Sequence, residues 1–175
     1  LTPADAPEGG GDPVDLGLDP AAVRAVIAGL EGAVHDAEHG TGHHITFTVA
    51  SDGVTPADGS APGTREIREE IFNVPGVRVV GKTGTATAGA IELRDARGRI
   101  VLDDAGNAET VVPDHSWYVA LVGPESGPEG GRLKYAIAVM MENAGSGGKV
   151  SGPICNQIVR SLVDEGYLPS AGGAP

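Results

Sequence analysis

Two apolar runs set the strongest limit on how this chain can fold. "SWYVALVG", residues 116–123, and "KYAIAVMMEN", residues 134–143, flank a Gly/Pro loop at 123–131. Neither run alternates much between apolar and polar residues, so together they predict an antiparallel pair in the middle of a sheet. The 175 residues suffice for one domain with a real core. With 28 glycines and 13 prolines, much of that length is loop between compact elements. Aromatic residues make up only 3%, so the core has to rest on Val, Ile, Leu and Ala.

The other elements follow from local signals. Residues 1–18 are rich in Gly, Pro and Asp and read as an extended lead-in. Asp19 offers an N-cap and Pro20 the first helical position. Val23, Val26, Ile27, Leu30 and Val34 recur at helical spacing, which predicts an amphipathic helix over 20–38 that Gly40 and Gly42 stop. "HITFTVA" alternates Ile45, Phe47 and Val49 and predicts a short strand. Ser51-Asp52-Gly53 reads as a hairpin turn opening a loop, and "TREIREEIF" as a short charged helix capped by Thr64. "VRVVGKTGTA" follows as a strand rich in Val and Thr. Residues 90–112 hold two alternating runs around "DARGR" and predict a solvent-facing hairpin excursion. Pro153 opens a last helix whose apolar face is Ile154, Cys155, Ile158, Val159, Leu162 and Val163, ended by Gly166. The tail 169–175 is expected to be disordered. Helix, strands and helix without βαβ alternation predict an α+β fold, an antiparallel sheet with flanking helices.

One lysine carries two overlapping motifs. Gly76, four residues, then Gly81-Lys82-Thr83 fits a phosphate loop, while Lys82-Thr83-Gly84 is a K-T-G. A phosphate loop needs a strand before its first glycine and a helix from its Lys-Thr. Here Pro75 precedes Gly76, the variable positions are strand formers, and Gly84-Thr85-Ala86-Thr87 is a poor helix start. The context rejects nucleotide binding. As a strand, Lys-Thr-Gly-Thr offers an ammonium, two hydroxyls and unpaired N–H groups to an extended peptide, and Gly84 lets that peptide's backbone come close. Such donors can also meet a developing oxyanion.

The resemblance extends past the three letters. "GKTGTA", "DHSWYVALV", "YAIAVMMENAGSGG" and "SGPICNQIVRSLV" occur in that order, preceded by "LDPAAVRAVIAGLEGAV…GTG". In this the chain resembles the C-terminal part of class B penicillin-binding transpeptidases, of the elongation type that builds peptidoglycan. Most of residues 16–168 takes part, with 43–75 and 90–112 as longer excursions. The resemblance implies a β-lactamase/transpeptidase-like fold and a parent protein anchored at the outer face of the bacterial inner membrane. It implies that Lys82 assists proton transfer beside a serine, and that Thr83 and Thr85 hold the carboxylate of a peptidoglycan stem peptide or a β-lactam. It further implies that the backbone N–H of Thr85 forms half of an oxyanion hole, and that Gly84 admits the substrate. His115, at the start of the next strand, is read either as a substrate contact or as a structural strand-end residue.

The family's nucleophile lies in an S-x-x-K ahead of K-T-G. The only such spacing here, Ser146 to Lys149, comes after it in a glycine loop and reads as a turn into the last helix. The chain, which opens on Leu1 rather than methionine, is therefore read as a fragment, inactive alone, whose partner is the N-terminal portion of its own domain. A different class of function is a non-catalytic peptidoglycan-binding or regulatory module that kept the sheet and lost the serine. Exposed apolar strands also predict self-association. Composition excludes other partners: a formal charge of −12 repels phosphodiester backbones, so nucleic acid is not expected. No run approaches the roughly 20 apolar residues of a membrane span. His35, His39, His43 and His44 read as a solvated helix end, not a metal site, and Cys155 as a buried inert thiol. No cofactor is expected.

Overall fold

A computed structural model describes residues 15–50, 63–127 and 130–170. Helix α1 spans Pro20–His35, β1 His44–Ala50, β2 Thr64–Glu70 and β3 Val77–Thr87. Next come β4 Ile91–Glu92, β5 Thr110–Val111, β6 Asp114–Pro124, β7 Tyr135–Met141 and helix α2 Ser151–Asp164. All strand pairings are antiparallel, in the orders β1-β2, β3-β6-β7 and β4-β5. The architecture is α+β, two helices on small antiparallel sheets.

The predicted apolar pair forms, with β6 at the centre of three strands. Among the described residues β7 is the outer edge of that sheet. Both strands are apolar on both faces, yet only one face is covered. Tyr118, Ala120 and Val122 of β6 are fully buried, and Ile137 and Val139 of β7 nearly so, beneath Cys155 and Val159 of α2. On the opposite face Trp117 is 38% exposed, Val119 46% and Met140 42%. The register sets Trp117 beside Met140, so these form one uncovered apolar surface.

Both helices start and stop for identifiable reasons. The Asp19 carboxylate accepts the N–H of Ala21 at 2.9 Å, with Pro20 in the first turn, as predicted. α1 ends at His35, earlier than the predicted 38, because Asp36 turns extended and its carboxylate accepts the N–H groups of Glu38 and His39. Those two bonds hold the Asp36 carboxyl below its ordinary pKa. Glu31 of α1 binds Arg78 of β3 through two bonds of 3.1 Å, which lower its own pKa and pin helix to strand. α2 begins at Ser151, two residues before Pro153, and closes on a Schellman turn. There Gly166, at φ 78°, donates to Val163 O and Tyr167 to Leu162 O.

Residues 64–70 correct the sequence reading. They form β2, not a capped helix, and pair along the whole of β1 with Phe47 opposite Ile67 and Val49 opposite Arg65. The spacing of Ile67 and Ile71 suited a helix, but a helix this short is marginal in isolation. Cross-strand pairing with "HITFTVA" satisfies the same backbone groups and continues to the Ile71 N–H, which donates to His43 O. The turn expected at Ser51-Asp52-Gly53 lies outside the described residues, as do most of the lead-in and of the tail.

The excursion at 90–112 is a three-armed junction rather than one hairpin. Its stem is β4 with β5; bridges Arg94 to Ile100 and Leu102 to Ala108 close two further arms. Leu93, Val101 and Glu109 meet in a ring, each donating an N–H to another's carbonyl. The arms share one turn chemistry: Asp95 and Asp103 accept backbone N–H groups two and four residues on, followed by Gly98 and Gly106 at φ 78° and 82°. Those bonds lower both carboxyl pKa values.

Candidate functional site

The geometry of Lys82, Thr83, Gly84 and Thr85 follows from the ladder between β3 and β6. The register pairs Lys82 with Val119, Thr83 with Tyr118, Gly84 with Trp117 and Thr85 with Ser116. Continued beyond the strand it pairs Ala88 with Pro113, and Ala88 donates its N–H to Pro113 O. Hydrogen-bonded and open pairs alternate in an antiparallel ladder. Even-numbered residues of β3 therefore bond β6, while Val79, Gly81, Thr83 and Thr85 turn their N–H and C=O groups outward. The Val79 carbonyl confirms this parity: it faces away from the sheet and meets His35 Nε2 of α1 at 2.8 Å. Past that point, none of the described residues hydrogen-bonds the outer N–H groups of Thr83 and Thr85. The edge is open along K-T-G-T.

Lys82 stands at this edge. By the pleat its side chain starts on the uncovered face, but the ammonium curls round to the edge. It donates to Thr83 O at 3.0 Å, Thr83 Oγ1 at 3.1 Å and Thr41 Oγ1 at 3.1 Å. The two threonine hydroxyls are themselves 2.9 Å apart. An ammonium has three donors, and here each has an oxygen. The cluster is solvent-facing, which leaves its hydroxyls and charge accessible to a ligand.

Sequence reasoning missed two parts of this site. Thr41, in the turn after α1, has no motif of its own; it lay inside the "GTG" that ends the helix resemblance. The second is the loop at 143–150, which packs on the strand pair beneath the motif. A Cβ on Gly147 would stand 2.2 Å from Trp117 O and 2.5 Å from Gly84 O, so only glycine fits. Gly148 lies by Thr83, whose Cγ2 would be 3.6 Å from an added Cβ. Ser146 and Lys149 belong to this turn, as the sequence reading expected, where Val150 N–H donates to Ser146 O.

Beneath the loop, Ser116 and Ser151 are both fully buried. Ser116 Oγ accepts the Ser151 N–H at 3.2 Å and donates to Ser146 O at 3.1 Å. Helix α2 has no side-chain cap from its own N-cap residue, Val150. A serine of β6 supplies one instead.

His115 pairs with Ala86 and, by the pleat, shares its face with Trp117, opposite the face of Thr83 and Thr85. Its Nδ1 accepts the N–H of Asn143 at 3.1 Å. Asn143, at φ 54°, is the one non-glycine residue with positive φ among the described residues. His115 thus secures the turn that follows β7. The other histidines diverge: His43 lies 3.8 Å from Glu70, and His44 Nδ1 accepts from Arg68 at 2.9 Å. Among the described residues, no three His, Cys, Asp or Glu side chains converge on a point where a metal could bind. Nor is any helix there long and apolar enough to cross a membrane. Cys155 is buried, and burial pushes its thiol up to about 12. No known family model, curated protein or solved structure matches this chain.

Proposed function

We propose that this chain supplies the substrate-binding strand of a serine D,D-transpeptidase of the penicillin-binding type, within a β-lactamase/transpeptidase-like fold. The observation that carries the reading is the open edge of β3, where outward N–H and C=O groups of Thr83 and Thr85 lie beside the Lys82 ammonium. An extended peptidoglycan stem peptide, or a β-lactam imitating it, adds to that edge as a strand. The hydroxyls of Thr83 and Thr85 receive its carboxylate, and Gly84 leaves room for its backbone. The Thr85 N–H is aimed outward, where an acyl oxygen would gather negative charge.

In this reading the nucleophilic serine comes from residues outside the chain, in a membrane-anchored parent acting at the outer face of the inner membrane. Lys82 trades one threonine acceptor for the incoming serine hydroxyl and serves proton transfer there. The 175-residue chain alone should form no covalent adduct with a fluorescent penicillin. A labelled band mapping to any residue of this chain would overturn that assignment. In the full-length parent, Lys82→Ala should cut acylation by roughly 10²-fold or more; unchanged acylation kinetics would remove Lys82 from the mechanism. Stem-peptide binding by a parent that never acylates would mark instead a non-catalytic peptidoglycan-binding module.

A further inference from the structure

Successive residues at the start of β6 hold the loop at 143–150. Asp114 O accepts the N–H of Gly145 at 2.8 Å, and His115 Nδ1 accepts that of Asn143 at 3.1 Å. Ser116 Oγ donates to Ser146 O at 3.1 Å. With Gly145, Gly147 and Gly148 in it, the loop has little stiffness of its own. Ser116 is the fully buried one of its holders, and it reaches α2 as well by accepting the Ser151 N–H at 3.2 Å.

The loop bears on the K-T-G strand. Gly147 lies over the Gly84–Trp117 pair, against Gly84 N and O and Trp117 O. The register places Thr83 with Tyr118 on one side of that pair and Thr85 with Ser116 on the other. By the pleat these four side chains share one face, the face on which Ser116 meets the loop. Gly147 is thus wedged between Thr83 and Thr85, with Gly148 beside the Thr83 methyl. Among the described residues β3 has a ladder partner in β6 alone along this stretch, so the wedge is its second support.

We propose that Ser116 is a positioning residue of this site. By tying Ser146 O to the first turn of α2, its hydroxyl keeps Gly147 under the strand and so fixes the aim of the Thr85 N–H. Ser116 is buried beneath the loop and touches no substrate, and its role rests on the transpeptidase reading. Without the hydroxyl, Ser146 O and the Ser151 N–H lose their shared partner and the wedge loosens. Threonine hydroxyls can still turn to follow a carboxylate. A backbone N–H points only where its strand points, so the loss falls on the step in which negative charge develops.

Stopped-flow acylation of the full-length parent by a chromogenic β-lactam separates the dissociation constant of the first complex from the acylation rate constant. Each variant is measured at a temperature where circular dichroism shows it folded. Ser116→Ala should lower the rate constant by about 10- to 100-fold and leave the dissociation constant within about twofold. Ser151→Ala keeps the bonds of Ser116 to Ser146 O and to the backbone N–H of residue 151, so its rate constant should not change. Val159→Ala, in the core beneath α2, should lower Tm without moving the rate constant. Should Ser116→Ala fail to fold, Ser116→Cys supplies a weaker donor of similar shape and should give a smaller drop in the same constant. A rate constant unchanged in the Ser116 variant, or lowered equally in Val159→Ala, would overturn the role of Ser116. Lys82→Ala, run alongside, tells the two failures apart. If it acylates at the normal rate, or the parent never acylates, the transpeptidase reading falls and the role of Ser116 with it.

Discussion

Gly147 is the position where one methyl group should do the most damage. Its ideal Cβ would lie 2.2 Å from Trp117 O, 2.5 Å from Gly84 O and 3.1 Å from Gly84 N. All three atoms belong to the paired backbones of β3 and β6, which cannot yield as a flexible side chain would. The loop must therefore lift away from both strands. Overpacking of this kind costs about 1–3 kcal/mol, and a rigid obstacle places it at the upper end. Lifting also strains the 2.9 Å bond from the Gly152 N–H to Gly147 O, worth about 1 kcal/mol. Gly147→Ala should then destabilise the chain by about 3–4 kcal/mol and lower Tm by roughly 10 °C. Two controls separate clash from backbone strain. Gly145 has open space but φ 80°, so Gly145→Ala should cost only about 1–2 kcal/mol. Gly89 has open space and no positive φ, so Gly89→Ala should be neutral or stabilise by up to about 1 kcal/mol. Urea unfolding of the three variants checks the ranking. If Gly147→Ala proved no worse than Gly145→Ala, the packing of this loop on the K-T-G strand would be refuted.

Three further outcomes are expected. Ser116→Ala should cost about 2–3 kcal/mol, because it strands both the Ser151 N–H and Ser146 O, whereas Ser151→Ala should cost nearer 1 kcal/mol; equal losses in urea unfolding would contradict the cross-strand cap. Tyr118→Phe removes the buried donor to Gly42 O at 3.3 Å and should cost about 1 kcal/mol, with no change in Tm counting against that bond. Burial, then the charges of Arg68 and His43, hold the His44 pKa below its ordinary 6.5. The unfolded chain then binds that proton more readily, so the stabilisation is present above pH 6.5 and is lost as pH falls toward the lowered folded value. Amide exchange in β1 and β2, corrected for intrinsic rates, should accelerate relative to β6 on acidification, and a constant ratio would refute this.

The sequence by itself determined the local elements whose signals are self-contained. Asp19-Pro20 set the start of α1, Gly166 the end of α2, and the Gly/Pro loop at 123–131 the antiparallel turn between β6 and β7. The K-T-G motif placed Lys82, Thr83, Gly84 and Thr85 on one strand, because period-two geometry needs no distant information. Tertiary structure decided the rest. "TREIREE" became β2 because cross-strand partners outweighed a weak helical spacing. Thr41 met Lys82 because the turn after α1 lies against the open edge of β3, and Ser116 capped α2 across 35 residues. His115 met Asn143 because the pairing of β7 with β6 returns the following turn to the start of β6. The position of β7 was also undecided by its residues, since an apolar run reads the same at a sheet's centre and at its edge. What separates the two is whether another strand arrives, and a strand's own side chains do not encode that.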